Sequence, residues 1–152
     1  MKRMILATAT LLLALFGSAA LAAGGNQQGA KQFGDYVIHF NAVNTDFLTP
    51  QVARSYGIRR SKNRILLTVS VLRGKLGVAG EPVEANVEAW VTNLNQQTKN
   101  VKMKEVKDGG AIYYIGTFSA TNEETFDIHV KAQPKGSDKA FEVSFRRKFY
   151  TN

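Results

Sequence analysis

The sequence predicts an all-β protein: an antiparallel two-sheet β-sandwich, immunoglobulin-like in architecture, with about seven strands and one short helix. Three observations favour this class. Apolar and polar side chains alternate with a period of two over most of the chain after residue 34, as in half-buried strands. Short segments rich in Gly, Pro, Asn and Asp separate the alternating runs. Only one connection, residues 44–62, is long.

The alternating runs give the strand boundaries. In the first run, Ile38 and Phe40 share the apolar face, and in the last run Phe145 and Phe149 do so. Trp90 falls on the polar face of its run, which predicts a bulge or an exposed aromatic ring. Lysines that point outward near residue 102 are typical of an edge strand. The predicted strands span about residues 35–43, 63–73, 83–93, 100–107, 111–119, 124–132 and 140–150.

A helix of one or two turns is predicted over about residues 50–56. Thr49 provides an N-cap, Pro50 occupies the first helical position, and Gly57 marks the end. So short a helix is stable only if it packs on the sheet. The side chains available for that contact are Phe47, Leu48, Val52 and Tyr56.

The main structural alternative is a five-stranded barrel of the oligonucleotide-binding kind, which would need fewer, longer and more curved strands. The chain has no cysteine. The disulfide of a true immunoglobulin domain is therefore excluded, although the sandwich architecture is not.

The N-terminus has the pattern of a signal peptide. Lys2 and Arg3 precede an apolar run that is too short for a membrane span, and small residues follow up to Ala22. We expect cleavage after Ala22, export to the periplasm, and no transmembrane segment afterwards. The predicted organisation is a signal peptide at 1–22, a flexible leader at 23–33 and one β-sandwich domain at 34–152.

The whole chain of 152 residues carries a net charge of +8. This charge favours anionic partners such as phospholipid or acidic glycan. Nucleic acid is not expected, because the protein is exported and aromatic residues do not alternate with the cations at 59–64. Without cysteine, a lipoprotein anchor and disulfides are both excluded.

The sequence contains none of the common catalytic or phosphate-binding motifs. It therefore predicts a non-enzymatic protein without a cofactor. The alternative is a metal-binding or metal-dependent enzyme site, since two histidines and a carboxylate form a minimal ligand set. The residues available for it are His39, His129 and Asp127.

One cationic segment is the candidate binding surface. Its residues are Arg59, Arg60, Lys62 and Arg64, with Tyr56 just before them. Arginine side chains suit phosphate and carboxylate groups. The alternative is structural: these side chains solvate and anchor the long connection where it enters a central strand.

The sequence also resembles a family of small exported bacterial proteins, domain-of-unknown-function family 4426. The similarity covers about residues 33–152, and its most specific motif is Tyr56-Gly57-Ile58 followed by Arg60-Ser61-Lys62-Asn63-Arg64. Two longer stretches carry it as well, FGDYVIHFNAVNTDFLTPQVARSYGIRRSKNRILLTVSVL and YYIGTFSATNEETFDIHVKA. The resemblance implies export from Gram-negative cells and no assigned activity.

These features together predict a periplasmic binding or interaction module, a monomer or weak dimer, for an envelope protein or an anionic lipid or glycan. A scaffold or chaperone that pairs an edge strand with a client chain is a further hypothesis. The outward lysines near residue 102 argue against it.

Overall fold

The computed structural model describes residues 29–152. The predicted signal peptide and its cleavage site lie outside the described residues. The first helical segment is a short 3₁₀ turn, Thr45–Phe47, and the second is helix α1, Pro50–Ser55. The strands are β1 (Ala30–Phe33), β2 (Tyr36–Asn44), β3 (Arg64–Arg73), β4 (Glu81–Pro82), β5 (Ala85–Asn93), β6 (Thr98–Val101), β7 (Lys104–Asp108), β8 (Ala111–Ser119), β9 (Glu124–Pro134) and β10 (Phe141–Phe149).

The strands form two antiparallel sheets. Sheet A has the order β1-β2-β3-β8-β7, with β4 paired to β3, and sheet B has the order β10-β9-β5-β6. The predicted two-sheet antiparallel sandwich is confirmed. The structure has ten strands where seven were expected, because β1 and β4 are additional short strands and the strand predicted at 100–107 is divided into β6 and β7.

The core lies between the sheets and follows the period of two. Ile38 and Phe40 of sheet A are buried in one apolar cluster with Ile128 and Val130 of sheet B. The intervening residues of β2 and β9 face outward from their sheets. Each residue therefore has a defined face, which fixes on which side of the sandwich a polar side chain lies.

Helix α1 covers the outer face of sheet A. Thr49 caps it, because its hydroxyl oxygen accepts a hydrogen bond from the N–H of Val52 at 3.2 Å. Leu48 and Val52 pack in a second apolar cluster with Leu66, Tyr113 and Ile115 of the sheet. The predicted helix is thus confirmed to within a residue, but Phe47 does not contribute to the contact, since its side chain is 77% exposed.

The last four residues of the segment predicted as a flexible leader belong to sheet A. Residues 30–33 form β1, which pairs antiparallel with the start of β2. The segment is ordered because Phe33 stacks on Phe141 with ring centroids 5.0 Å apart. The Gln32 amide also donates to the main-chain oxygens of Gly34 and Gly74.

The strand predicted at 100–107 is wrong as a single element. The chain leaves sheet B after Val101 and enters sheet A at Lys104, so β6 and β7 are edge strands of different sheets. The crossing chain passes directly over Gly116. A Cβ atom at that position would lie 2.7 Å from the main-chain oxygen of Lys102, which explains why glycine occupies the site.

Trp90 lies half-buried on the outer face of sheet B. The pairing of β5 with β9 runs from Ala85 to Asn93 without interruption, so no bulge turns the ring inward. Instead, Trp90 stacks on His129 of the neighbouring strand, with ring centroids 5.2 Å apart. Among residues 29–152, no helix is long and apolar enough to cross a membrane.

Candidate functional site

A cleft of about 480 Å³ opens where the ends of β2 and β10 meet. Its size is within the range of small-molecule sites, about 300–1,000 Å³. The residues that line it come from three parts of the chain: Ala42, Val43, Asn44, Asp46 and Phe47; Lys62; and Arg147, Lys148, Phe149, Tyr150 and Asn152.

Among the described residues, β1 covers only the first part of β2. β1 pairs with β2 only from Tyr36 to His39, and one further bond joins the N–H of Phe40 to the oxygen of Gly29 at 2.8 Å. Within the described part of the chain, residues 42–44 of β2 pair with β3 on one edge and with no strand on the opposite edge. β10 is the edge of the other sheet, so two strand ends form the sides of the cleft.

Arg147 joins the two sides. It lies on the inward face of β10, two positions after Phe145, and it is half-buried. Its guanidinium donates to the main-chain oxygen of Ala42 at 2.5 Å and to Oδ1 of Asn41 at 3.1 Å. Burial lowers the pKa of Arg147 from its ordinary value, but an arginine in a protein remains charged. A positive charge is therefore held between the sheets.

Asn44 fixes the relative positions of the three lining segments. Its side-chain amide donates to the main-chain oxygen of Lys62 at 2.7 Å and to that of Tyr150 at 3.0 Å. These bonds link the end of β2, the long connection and the C-terminal segment. The cleft is consequently built from residues about 100 positions apart, which the bonds of Asn44 and Arg147 hold together.

Thr45 and Arg60 fold the long connection against the cleft. Thr45 is fully buried, and its hydroxyl accepts from the N–H of Ser61 at 2.8 Å and lies 2.9 Å from the oxygen of Arg59. The Arg60 guanidinium donates to the main-chain oxygens of Leu48 at 2.7 Å and Asp46 at 3.1 Å.

The lining is cationic and aromatic. Lys62, Arg147 and Lys148 carry positive charge, and Asp46 is the one acidic side chain among the lining residues. The side chains of Phe47 and Tyr150 are 77% and 62% exposed. Phenylalanine is more often buried in the core of a protein. The Lys148 ammonium lies 5.6 Å from the centre of the Tyr150 ring, within the range of a cation–π contact.

The chain matches the family described as Domain of unknown function (DUF4426) over residues 30–152. It belongs to the DUF4426 family.

A crystal structure of a DUF4426 family protein from Pseudomonas aeruginosa PAO1 is similar to this DUF4426 member, with 30% sequence identity and a TM-score of 0.70. The match covers 84% of this chain and 99% of that chain. Among curated proteins, none matches the sequence.

Two structures of FetP from uropathogenic Escherichia coli strain F11 are also similar. One is the 'as isolated' protein, recombinantly expressed in the periplasm, with 11% identity, a TM-score of 0.56, and coverage of 80% of this chain and 92% of that chain. The other is a copper-bound variant, with 11% identity, a TM-score of 0.58, and coverage of 82% and 92%. At this identity the likeness shows a shared fold.

The cationic segment predicted to form one binding surface is divided in the DUF4426 member. Lys62 lines the cleft, whereas the Arg60 guanidinium is bound to main-chain oxygens. Arg64 donates to the Thr117 hydroxyl at 3.0 Å on sheet A, and the Arg59 side chain is exposed to solvent. Two of the four cations thus hold the connection in place.

Tyr56 anchors helix α1. Its hydroxyl donates to Oδ2 of Asp108 at 2.8 Å, and Asp108 is only 8% exposed. Burial and the Asp108 carboxylate both raise the pKa of Tyr56, so the phenol stays protonated and remains a donor. Tyr56 lies outside the residues that line the cleft.

The structure does not bring His39, His129 and Asp127 together. His39 faces outward from sheet A, where burial lowers its pKa, and His129 faces outward from sheet B beside Trp90. Both oxygens of Asp127 accept hydrogen bonds from Arg146, at 2.7 and 2.9 Å, and these bonds lower the pKa of Asp127. In residues 29–152, no group of three His, Cys, Asp or Glu side chains is placed to hold a metal ion.

The sequence analysis missed most of the cleft. The C-terminal stretch FRRKFY, residues 145–150, contains three consecutive cations between aromatic residues. The alternation of this stretch predicts only a core strand. No feature of the sequence marks Asp46 and Phe47 as residues of a cleft. Both lie in a turn, and the residue types of a turn do not show whether a cleft lies beside it.

Proposed function

We propose that this DUF4426 member is an exported, periplasmic, non-enzymatic binding module that takes an anionic component of the cell envelope into the cleft. The observation that carries the proposal is that three cationic residues, Lys62, Arg147 and Lys148, line one cleft together with two exposed aromatic residues. Concave sites that combine apolar surface with a few fixed polar groups are the usual form of ligand sites.

The charges support an anionic ligand. Arg147 is fixed by its bonds to β2, so it loses little conformational freedom when a ligand arrives. Lys62 and Lys148 contribute two further cations to the lining.

The lining also supports binding rather than catalysis. It contains one carboxylate and neither histidine nor cysteine. General acid–base chemistry uses a titratable group within reach of a reacting atom, most often a histidine. Export is supported by the pattern of residues 1–22.

The experiment is a binding titration of the protein purified from a periplasmic extract. The probes are vesicles of phosphatidylglycerol, vesicles of phosphatidylcholine and purified lipopolysaccharide. The variant Lys62→Ala/Lys148→Ala removes two cations from the cleft. The control Lys104→Ala/Lys131→Ala removes two exposed cations elsewhere, so the net charge is the same.

At an anionic membrane surface a lysine contributes about 1 kcal/mol. The cleft variant should thus lose about 2 kcal/mol, or roughly thirtyfold in affinity for at least one anionic probe. The charge-matched control should retain most of the wild-type affinity. Equal losses in the two variants, or no binding to any anionic probe, would contradict the proposal.

A further inference from the structure

Large apolar side chains are exposed at two opposite ends of the sandwich. Among residues 29–152 they are Phe47, Leu76, Val78, Leu94 and Tyr150. Leu76 and Val78 belong to the loop at 74–80, which follows the residue paired with Tyr36 at the start of β2. Phe47 and Tyr150 line the cleft at the other end of β2, and Leu94 follows β5 on the same side. Since a strand rises about 3.3 Å per residue, the loop end and the cleft end are roughly 26 Å apart.

The charges of the two ends differ. The cleft lining carries three cations and one carboxylate, a net charge of +2. Residues 73–81 carry two cations and one carboxylate, and Asp35 lies 3.8 Å from the Lys75 ammonium, so the loop end is neutral. An anionic partner is therefore attracted to the cleft end rather than to the loop end.

The lysines of the cleft end are not neutralised by acidic neighbours. Within the described residues, neither Lys62 nor Lys148 forms an ion pair. Glu124, which begins β9 at the same end, lies outside the cleft lining and already accepts hydrogen bonds from two neighbouring residues. The two ammonium groups can thus contact an external anion without losing an internal partner.

The exposed rings of the cleft end have no packing role in the described structure. Phe47 belongs to neither apolar cluster. Tyr150 joins an apolar ring to a hydroxyl, and its ring lies 5.6 Å from the Lys148 ammonium. Tyrosine is enriched at the headgroup level of membranes, and lysines beside apolar side chains are typical of surfaces that bind anionic lipids.

We propose that the cleft end is a docking surface for the anionic phospholipid of a membrane. Lys62 and Lys148 contact the phosphates of the headgroups, and Phe47 and Tyr150 enter the interfacial layer. This inference rests on the proposed function, because it names the anionic component that the cleft binds. A soluble anion would occupy the cleft and leave both rings in water, whereas a membrane would bury them.

The first test compares two variants that each remove a pair of exposed apolar side chains. The ring variant, Phe47→Ala/Tyr150→Ala, changes the cleft end, and Leu76→Ala/Val78→Ala is the matched control at the loop end. The probe is a vesicle of phosphatidylglycerol and phosphatidylcholine in equal parts, and binding is measured by sedimentation. The ring variant should lose about tenfold in affinity, since two rings no longer enter the interface, and the control should keep the wild-type affinity. Free glycerophosphate, which carries the charge without a membrane, should bind all three proteins with the same affinity.

The second test measures whether a side chain at position 47 enters the membrane. Trp90 is the one tryptophan of the chain, so Phe47→Trp/Trp90→Phe and Leu76→Trp/Trp90→Phe each carry a single fluorophore, at the cleft end and at the loop end. Vesicles whose phosphatidylglycerol is brominated on its acyl chains should quench the fluorescence of the first variant and not that of the second. Both positions are exposed, and an unchanged urea midpoint checks that each variant is folded.

The outcomes are distinct. If the ring variant binds vesicles as tightly as the wild type, or if brominated vesicles do not quench Phe47→Trp/Trp90→Phe, the membrane inference is wrong. Equal losses in the ring variant and in the loop control would contradict the assignment to the cleft end. If Lys62→Ala/Lys148→Ala weakens binding to lipopolysaccharide while no quenching occurs, the proposed function stands and the membrane inference falls. If neither vesicles nor lipopolysaccharide bind, both fall.

Discussion

The side-chain amide of Asn44 donates a hydrogen bond of 3.0 Å to the main-chain oxygen of Tyr150. The same amide donates to the oxygen of Lys62 at 2.7 Å. One residue at the end of β2 therefore holds the connection at 62 close to the end of β10, and these two segments contribute Lys62 and Lys148 to the lining.

We expect Asn44→Ala to destabilise the protein by about 1–2 kcal/mol, because two main-chain oxygens lose their donor. Anionic probes should also bind more weakly, since Lys62 and Tyr150 are no longer held together. Urea unfolding and vesicle titration measure the two effects. Asn100→Ala, on the exposed edge strand β6, is the control. If Asn44→Ala has the same urea midpoint and the same affinity as this control, the structural role of Asn44 is refuted.

Tyr56→Phe should destabilise the protein by about 1–3 kcal/mol, because the buried Asp108 carboxylate loses a hydrogen-bond donor. Affinity for anionic probes should stay the same, since Tyr56 does not line the cleft. Tyr150→Phe removes a hydroxyl from an exposed ring and should leave the urea midpoint unchanged. A loss of affinity in Tyr56→Phe without a loss of stability would instead make Tyr56 a binding residue.

Gly116→Ala tests the crossing of the chain between the sheets. The new methyl group would lie 2.7 Å from both the Lys102 oxygen and a methyl carbon of Val101. Overpacking of this kind costs about 1–3 kcal/mol or more. Ser119→Ala, at an exposed position of the same strand, is the control for the effect of alanine on strand propensity. An unchanged melting temperature in Gly116→Ala would mean that the crossing does not pass so close to β8.

His39 predicts a pH dependence of stability. Burial lowers its pKa in the folded protein below the ordinary value of 6.5, so between these two values the unfolded chain binds more protons than the folded chain. The stability due to the neutral imidazole is present above pH 6.5 and is lost as the pH falls toward the folded pKa. The urea midpoint should fall less between pH 7.5 and pH 5 in His39→Gln than in the wild type. An equal fall in the two proteins would contradict the prediction.

Much of the fold could be predicted, because alternation decides which face of a strand is buried. The alternation predicts that Ile38, Phe40 and Phe149 face inward, and all three belong to the main core cluster. The helix was predicted because Thr49 and Pro50 form a local start signal that does not depend on the rest of the chain.

The errors arise where tertiary contacts decide local structure. Residues 30–33 carry no alternation, and they become a strand because β2 offers an edge and Phe141 offers a ring to Phe33. The change of sheet after Val101 depends on a neighbour, Gly116, that leaves room for it. Neither event leaves a pattern in the segment itself.

The candidate site was predicted poorly for a related reason. Of the predicted cations at 59–64, only Lys62 reaches the cleft, and the remaining charges come from Arg147 and Lys148. A charged run does not show which members point to solvent, which bind main-chain oxygens and which meet a distant segment. The hydrogen bonds of Arg60 and Arg64 show that part of the run has a structural role.

The most direct test of the cationic cleft is the salt dependence of binding to purified lipopolysaccharide. Each lysine that contacts a fixed anionic group adds about one to the slope of log affinity against log salt concentration. The slope should be smaller by about two in Lys62→Ala/Lys148→Ala than in the wild type, and the control Lys104→Ala/Lys131→Ala should keep the wild-type slope. The same slope in all three proteins would show that the cleft does not bind the anion.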